Sequence, residues 1–241
     1  MSPKDIPLDE RIIFALDVDS AEEAKRWVTA LEGRIRFFKV GLELFLAAGF
    51  PIIDWIVGRG HKVMADLKFF DVPETVRKAV LQLSGRGISY ATVHGNDPIL
   101  AAAASAKGDL KVLAVTVLTS FGEEDMRAMR FSGAIEDLVY FRARRALELG
   151  CDGVVSSGLE AARLRESLGP RLLLVTPGIR PGANLVDESD DQKRVATPYA
   201  AIKAGADQVV VGRPLRAAPD PLALAAAMQK DIARALEEDR P

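Results

Sequence analysis

Asp66, Lys68 and Asp71 stand close together in the run Met64-Ala-Asp-Leu-Lys-Phe-Phe-Asp-Val-Pro-Glu-Thr75. The run opens at the end of an apolar stretch, Val63–Leu67, that reads as a strand. Alternate residues of a strand share a face, so Asp66 and Lys68 are expected to project side by side from one strand end. Charges emerging from a buried strand are costly unless they are paired. An acid–base–acid cluster pairs itself and holds an ammonium in a fixed place. Two readings follow: a structural ion pair at a strand terminus, or a cation placed where negative charge develops in a reaction.

A second kind of chemistry is written further along. Thr176-Pro-Gly-Ile-Arg180 and Gly212-Arg213-Pro214 each combine a glycine with an arginine. Glycine lets backbone N–H groups approach an anion closely, and the guanidinium fork binds phosphate through two parallel hydrogen bonds. Phosphate binding is the expected use of both. The two histidines, His61 and His94, lie too far apart in sequence for metal-ligand spacing. His61 is read as a turn residue without a role, and His94 as a packed, hydrogen-bonded residue. Trp27 and Trp55 read as helix packing. The acidic stretch Asp187–Asp191 reads as a solvated loop face, with a lid over the phosphate as its functional alternative.

Short apolar, β-rich runs recur at Ile12–Val18, Phe37–Val40, Val63–Leu67, Tyr90–His94, Val112–Val117, Gly153–Ser156, Leu172–Thr176 and Gln208–Val211. Amphipathic stretches lie between them, among them Ala21–Leu31, Glu74–Ser84, Ile135–Leu149 and Leu159–Ser167. Gly33, Gly60, Gly87, Gly150, Gly169 and Gly205 fall where a helix-terminating residue takes a left-handed conformation. Alternating strands and helices imply parallel βαβ units, and eight of them spaced by about 30 residues predict a closed (β/α)8 TIM barrel, one domain spanning 1–241. No Gly-rich dinucleotide loop follows the first strand, which weighs against an open doubly wound sheet. Chemistry in such barrels sits at the C-terminal strand ends. Asp17 and Asp19, Lys39, the Asp66–Asp71 cluster, His94, Thr119 and Ser120, Arg180, and Arg213 all fall there.

Composition narrows the partners. Of 241 residues 49% are hydrophobic, enough for a large core. The 32 basic and 34 acidic residues nearly cancel, so no basic field points to nucleic acid. The one cysteine, Cys151, rules out an internal disulfide framework, fits a reducing cytoplasm and reads as inert packing. No signal peptide opens the chain and no run is long enough for a membrane span.

Taken together, Phe14-Ala-Leu-Asp17, Phe38-Lys-Val-Gly41, Asp66-Leu-Lys-Phe-Phe-Asp-Val-Pro-Glu-Thr75, Val115-Thr-Val-Leu-Thr-Ser120, Thr176-Pro-Gly-Ile-Arg180, Asp191-Gln192 and Val211-Gly-Arg-Pro214 resemble the motifs of the orotidine 5′-phosphate decarboxylase family. The matches keep their order over nearly the whole chain. The resemblance implies a (β/α)8 barrel that decarboxylates orotidine 5′-monophosphate as a homodimer with shared sites, without metal or cofactor. It further implies that Asp17 and Lys39 bind the ribose and that Lys39, Asp66, Lys68 and Asp71 form a charged array. Asp71 and Thr75 would enter the partner's site, and Thr119, with Ser120, would approach the pyrimidine. Gln192, Gly212 and Arg213 would contact the phosphate, with Arg180 completing that pocket. The stretch Pro181–Asp191 is longer than the family usually has.

Two alternatives remain at this level. A magnesium-dependent sugar-phosphate decarboxylase or aldolase, of the 3-keto-L-gulonate 6-phosphate decarboxylase type, shares the Asp-x-Lys-x-x-Asp core. Such relatives carry an acid near the end of strand two, where this chain has Lys39. A catalytically silent phosphate sensor would need the phosphate loops but neither Asp66 nor Lys68.

Overall fold

The computed structural model describes residues 5–182 and 194–238. Strands β1 Ile12–Ala15, β2 Phe37–Gly41, β3 Lys62–Phe69, β4 Tyr90–Val93, β5 Lys111–Val115, β6 Gly153–Val155, β7 Leu173–Thr176 and β8 Gln208–Val211 close into a barrel in sequence order. Every neighbouring pair is parallel, including β8 against β1. The helices are α1 Ala21–Leu31, α2 Leu42–Gly58, α3 Pro73–Leu83, α4 Asp97–Ser105, α5 Glu123–Ala128, α6 Ile135–Glu148, α7 Ala161–Leu168, α8 Pro198–Lys203, the short α9 Arg213–Arg216 and α10 Pro221–Glu237. The (β/α)8 barrel expected from the sequence is the fold observed. Among the described residues no helix is long and apolar enough to cross a membrane.

Local chemistry explains the helix starts. Ser20 accepts a hydrogen bond from the Glu23 N–H at 3.4 Å, Thr197 from the Ala200 N–H at 3.1 Å, and Asp220 from the Ala223 N–H at 2.9 Å. Each satisfies an otherwise unpaired first-turn donor. At the helix ends, Gly60, Gly87, Gly150, Gly169 and Gly205 have φ between 74° and 101°, as expected. Gly33 does not have a positive φ. Past α1 the Arg34 and Ile35 N–H groups both return to the Leu31 carbonyl, which keeps that turn right-handed.

The alternation of strand residues positions the site. Ile13, Ala15, Phe37, Met64, Tyr90, Leu113, Leu173, Val175 and Val210 fill the barrel interior, while Ile12, Phe14, Phe38, Val40 and Val63 pack in the layer beneath the helices. Extending the inward-facing phase toward the C-terminal strand ends turns apolar residues into polar ones. Ile13 and Ala15 lead to Asp17, Phe37 to Lys39, Met64 to Asp66, and Tyr90 to Thr92. Register aligns these ends: Ala15 lies opposite Lys39, Lys39 opposite Met64, and Gly41 opposite Asp66.

Candidate active site

Three strands deliver one compact charge array. Lys39 Nζ donates to Asp17 Oδ1 at 2.8 Å and lies 3.4 Å from Asp66 Oδ2. Lys68 Nζ donates to that same Asp66 oxygen at 2.9 Å. A single buried carboxylate oxygen thus faces two ammoniums. The other Asp66 oxygen accepts from the Thr92 hydroxyl at 2.9 Å. Burial opposes charge on Lys39, but Asp66 and then Asp17 outweigh it and hold its pKa above the usual lysine range. Burial likewise opposes charge on Asp66. Lys39 and then Lys68 outweigh it and hold that carboxyl below its usual range. Lys39 and Asp66 therefore stay ionised at neutral pH. Gly41 leaves it room: a Cβ there would lie 3.2 Å from Lys39 Nζ and 3.4 Å from Asp17 Oδ1.

Asp66 and Lys68 do project together, but not by simple pleating. Lys68 has φ 47°, a left-handed conformation rare outside glycine. The register of β3 on β4 jumps from Ala65 opposite Ala91 to Phe69 opposite Val93, so β3 spends two more residues than β4 over that stretch. Thr92 fills the bulge, accepting the Lys68 N–H at 2.9 Å while its hydroxyl donates to Asp66. Such a backbone conformation costs on the order of 1–3 kcal/mol and persists only where surrounding contacts impose it.

The array forms one wall of a cavity of about 340 Å³ at the C-terminal mouth of the barrel. Thr119 and Ser120 line another wall. Gly178, Arg180, Gly212 and Arg213 line the end away from β3, where the glycine–arginine elements were expected to converge. Gly178 has φ 75°, which bends the chain after β7 around that end. Arg180 is buried, and its Nη1 donates to the Ile179 carbonyl at 2.9 Å. The mouth thus has a cationic end suited to a phosphate, a polar wall and a paired ammonium–carboxylate floor. Gln192 and the acidic stretch Asp187–Asp191 lie outside the described residues.

Asp71 and Thr75 stand apart. Both are exposed, and Asp71 uses its carboxylate to accept the Val72 N–H at 2.6 Å. The acid–base–acid cluster therefore does not pair with itself within one chain: Asp66 takes Lys68, and Asp71 leaves with the loop. Val72-Pro73 accounts for this, since proline opens α3 and keeps the preceding residue extended.

The remaining candidates pack as follows. His61 lies 3.4 Å from Glu32, just before β3. His94 packs on the Phe70 ring at 5.6 Å, yet its buried Nδ1 has no hydrogen-bond partner among the described residues. The expected packing is observed, while the expected hydrogen bond is not made at Nδ1 among the described residues. Burial, then Arg142 and Lys68, hold the His94 pKa below its usual value, so the ring is neutral. Cys151 is buried and its thiol is pushed up to about 12 by that burial, which leaves it inert. Trp27 packs on Phe14, and Trp55 lies under Lys25 and Arg59. Among the described residues no cluster of three or more His, Cys, Asp or Glu could hold a metal ion.

Residues 10–228 match the model of the "Orotidine 5′-phosphate decarboxylase / HUMPS family". The chain belongs to this family. It is 52% identical over 233 residues to the orotidine 5′-phosphate decarboxylase of Methylococcus capsulatus, covering 96% of each chain. It is 46% identical over 232 residues to that of Nitrobacter winogradskyi, covering 95% of each. Among solved structures, orotidine 5′-phosphate decarboxylase from Lactobacillus acidophilus superposes with a TM-score of 0.80 at 34% identity, over 92% of this chain and 99% of that one.

Within this family fold, three site features escaped the sequence. Thr92 reads as an ordinary β-branched strand residue, yet it bridges Asp66 and the Lys68 backbone. Arg216 lines the cavity and donates to the Asp17 carbonyl. Its signal was available: it lies three residues beyond Arg213, one helical turn on. The buried pair of Arg194 and Glu160 left no signal, because its partners are far apart in sequence and neither belongs to a motif.

Proposed function

We infer that the protein removes carbon dioxide from C6 of orotidine 5′-monophosphate to give uridine 5′-monophosphate, with Lys68 as the group that meets the reacting carbon. The observation that carries this is Lys68 itself, on a left-handed backbone, its ammonium held 2.9 Å from a buried carboxylate inside a cavity with an arginine-lined far end. The C6–carboxylate bond breaks and its electron pair remains on C6 in the ring plane, where no ring orbital disperses it. An ammonium at that point stabilises the charge and then donates its proton to C6. The resulting amine regains a proton from water. Asp66 stays ionised beside it, favours the ammonium and crowds the departing carboxylate. Asp17 and Lys39 serve the ribose, Thr119 and Ser120 the pyrimidine, and Gly212, Arg213 and Arg180 the phosphate. Binding at the distant phosphate supplies energy for ordering the reacting end.

A cofactor-free reaction is part of this proposal. The carboxylates at the cavity floor are already occupied by ammoniums, with Lys39 on both Asp17 and Asp66, so a divalent cation would meet positive charge there. The ultraviolet absorbance change on decarboxylation of orotidine 5′-monophosphate, followed with and without a chelator, tests the proposal. Turnover unaffected by chelator is expected. Loss with chelator and return with magnesium would overturn the metal-free mechanism, and no turnover at all would favour the sugar-phosphate alternative or a phosphate sensor.

We also propose a homodimer with shared sites, acting as one catalytic domain over 1–241 in the cytoplasm. Asp71 is exposed between Phe70 and Val72, which are 69% and 62% exposed, and an apolar rim of this kind is suited to a protein interface. In the first turns of α2, Leu46 is 82% exposed. Mixing Lys68→Ala with Asp71→Ala protein should regenerate activity, because some hybrid dimers hold one intact site. Subunit exchange without returning activity would count against sharing.

A further inference from the structure

Beyond β5 the chain runs through Thr116, Val117 and Leu118 to reach Thr119 and Ser120 on the cavity wall. The three carbonyls of that stretch are taken by two guanidiniums. Arg142 of α6 donates to the Thr116 carbonyl, and Arg194 Nη2 donates to the Val117 and Leu118 carbonyls, each at 3.1 Å. Arg194 is 8% exposed, and its Nη1 donates to Glu160, itself 4% exposed, at the start of α7. Two residues on, Ala196 is bridged to the phosphate arm. The Arg180 N–H donates to the Ala196 carbonyl at 2.9 Å, and the Ala196 N–H donates to the Gly178 carbonyl at 3.1 Å. One short segment therefore grips the Gly178–Arg180 arm through its main chain and the end of β5 through the Arg194 side chain.

Stability alone is a poor reason for this arrangement. A buried ion pair loses much of its attraction to desolvation, and apolar residues of similar size commonly serve as well. Among the described residues Glu160 Oε2 and Arg194 Nε are also buried without partners, which adds to the cost. What the guanidinium supplies is a rigid fork that fixes two carbonyls and one carboxylate at once.

We propose that Arg194, its charge balanced by Glu160, is a positioning residue that fixes the ring end of the site, Thr119 and Ser120, relative to the phosphate end, Gly178 and Arg180. It acts through those two arms rather than on the substrate. The proposal rests on the reading of the cavity as a nucleotide site with those two ends.

The test is a double-mutant cycle. Thr119→Ala and Arg180→Ala are made singly and together, in the wild-type background and with Glu160→Gln plus Arg194→Met. Removing both charges avoids a lone buried ion, and circular dichroism with thermal melting checks folding. The readout is kcat/KM for orotidine 5′-monophosphate. The doubly neutral background should itself lose up to about 100-fold, the scale of a small misplacement at a reacting centre. In the wild-type background the combined loss should differ from the product of the single losses by about threefold or more, and in the neutral background it should equal that product. A merely structural pair would not alter this coupling. Equal coupling in both backgrounds, no coupling in the wild type, or kcat/KM within about twofold of wild type in the neutral background would overturn the proposal. Absence of wild-type turnover would instead overturn the decarboxylase reading. The same cycle read by calorimetric affinity for uridine 5′-monophosphate then decides the positioning role.

Discussion

The two mouths of the barrel hold cavities of similar size, about 340 Å³ at the C-terminal strand ends and about 310 Å³ at the N-terminal ends, and both are lined with lysines and carboxylates. They differ in how the charges are matched. At the N-terminal mouth Lys62 serves only Glu10 among the described residues, at 2.6 Å, and Asp152 takes Lys107 at 2.9 Å together with the Val112 N–H at 2.9 Å. Near that end Asp207 takes Arg165 at 2.7 Å and the Leu174 N–H at 2.7 Å. Each of these acids has one cation in direct contact, with Arg11 a second, more distant one for Asp207, and the backbone bonds tie loops to strand starts. At the C-terminal mouth one oxygen of Asp66 faces both Lys39 and Lys68, and Lys68 is held in a left-handed backbone conformation. Cavity volume does not distinguish the two mouths. Charge matching and backbone strain do, since strain persists where neighbouring contacts impose it and an unevenly shared carboxylate leaves an ammonium for a substrate.

Arg213→Ala should produce the largest loss among substitutions that sharpen this contrast. Affinity for uridine 5′-monophosphate is expected to fall about 10- to 100-fold, with that for uridine nearly unchanged, because only the nucleotide uses a charge-assisted contact. Equal losses in calorimetry would show that the arginine serves something other than phosphate. Gly41→Ala comes next. Its Cβ would press on the Lys39–Asp17 pair from 3.2 Å, and kcat/KM should drop about tenfold, ~1.4 kcal/mol, with little change in melting temperature. Unchanged kinetics would mean that the array tolerates displacement. The smallest effect belongs to the other mouth: Lys111→Ala, on the N-terminal cavity wall beside the Tyr90 ring, should leave kcat/KM within about twofold. A loss comparable to that of Gly41→Ala would erase the distinction between the mouths.

The barrel was legible because its strands are short apolar runs at even spacing and its connections carry helical periodicity with caps such as Ser20 and Asp220. The Asp66–Lys68 pair was legible because charges placed two apart at a strand end have few other ways to be satisfied. The bulge was not: a left-handed lysine follows from the two-residue excess of β3 over β4, which only pairing reveals. Thr92 was hidden for the same reason, as its hydroxyl matters only once the bulge brings the Lys68 N–H to it. Asp71 shows the limit of reading charges by proximity in sequence, since the proline after Val72 carries it away from Lys68. Arg194 and Glu160 meet across 34 residues, and a local reading cannot see such a pair.

Lys68→Ala tests the central claim most directly. Lys68 is assigned both carbanion stabilisation and proton donation, each worth on the order of 10²-fold or more, so turnover of orotidine 5′-monophosphate should fall by at least about 10⁴-fold. The variant should remain folded and still bind uridine 5′-monophosphate. Turnover within about tenfold of wild type, a barrier change of only ~1.4 kcal/mol, would contradict the assignment and return Lys68 to a structural role.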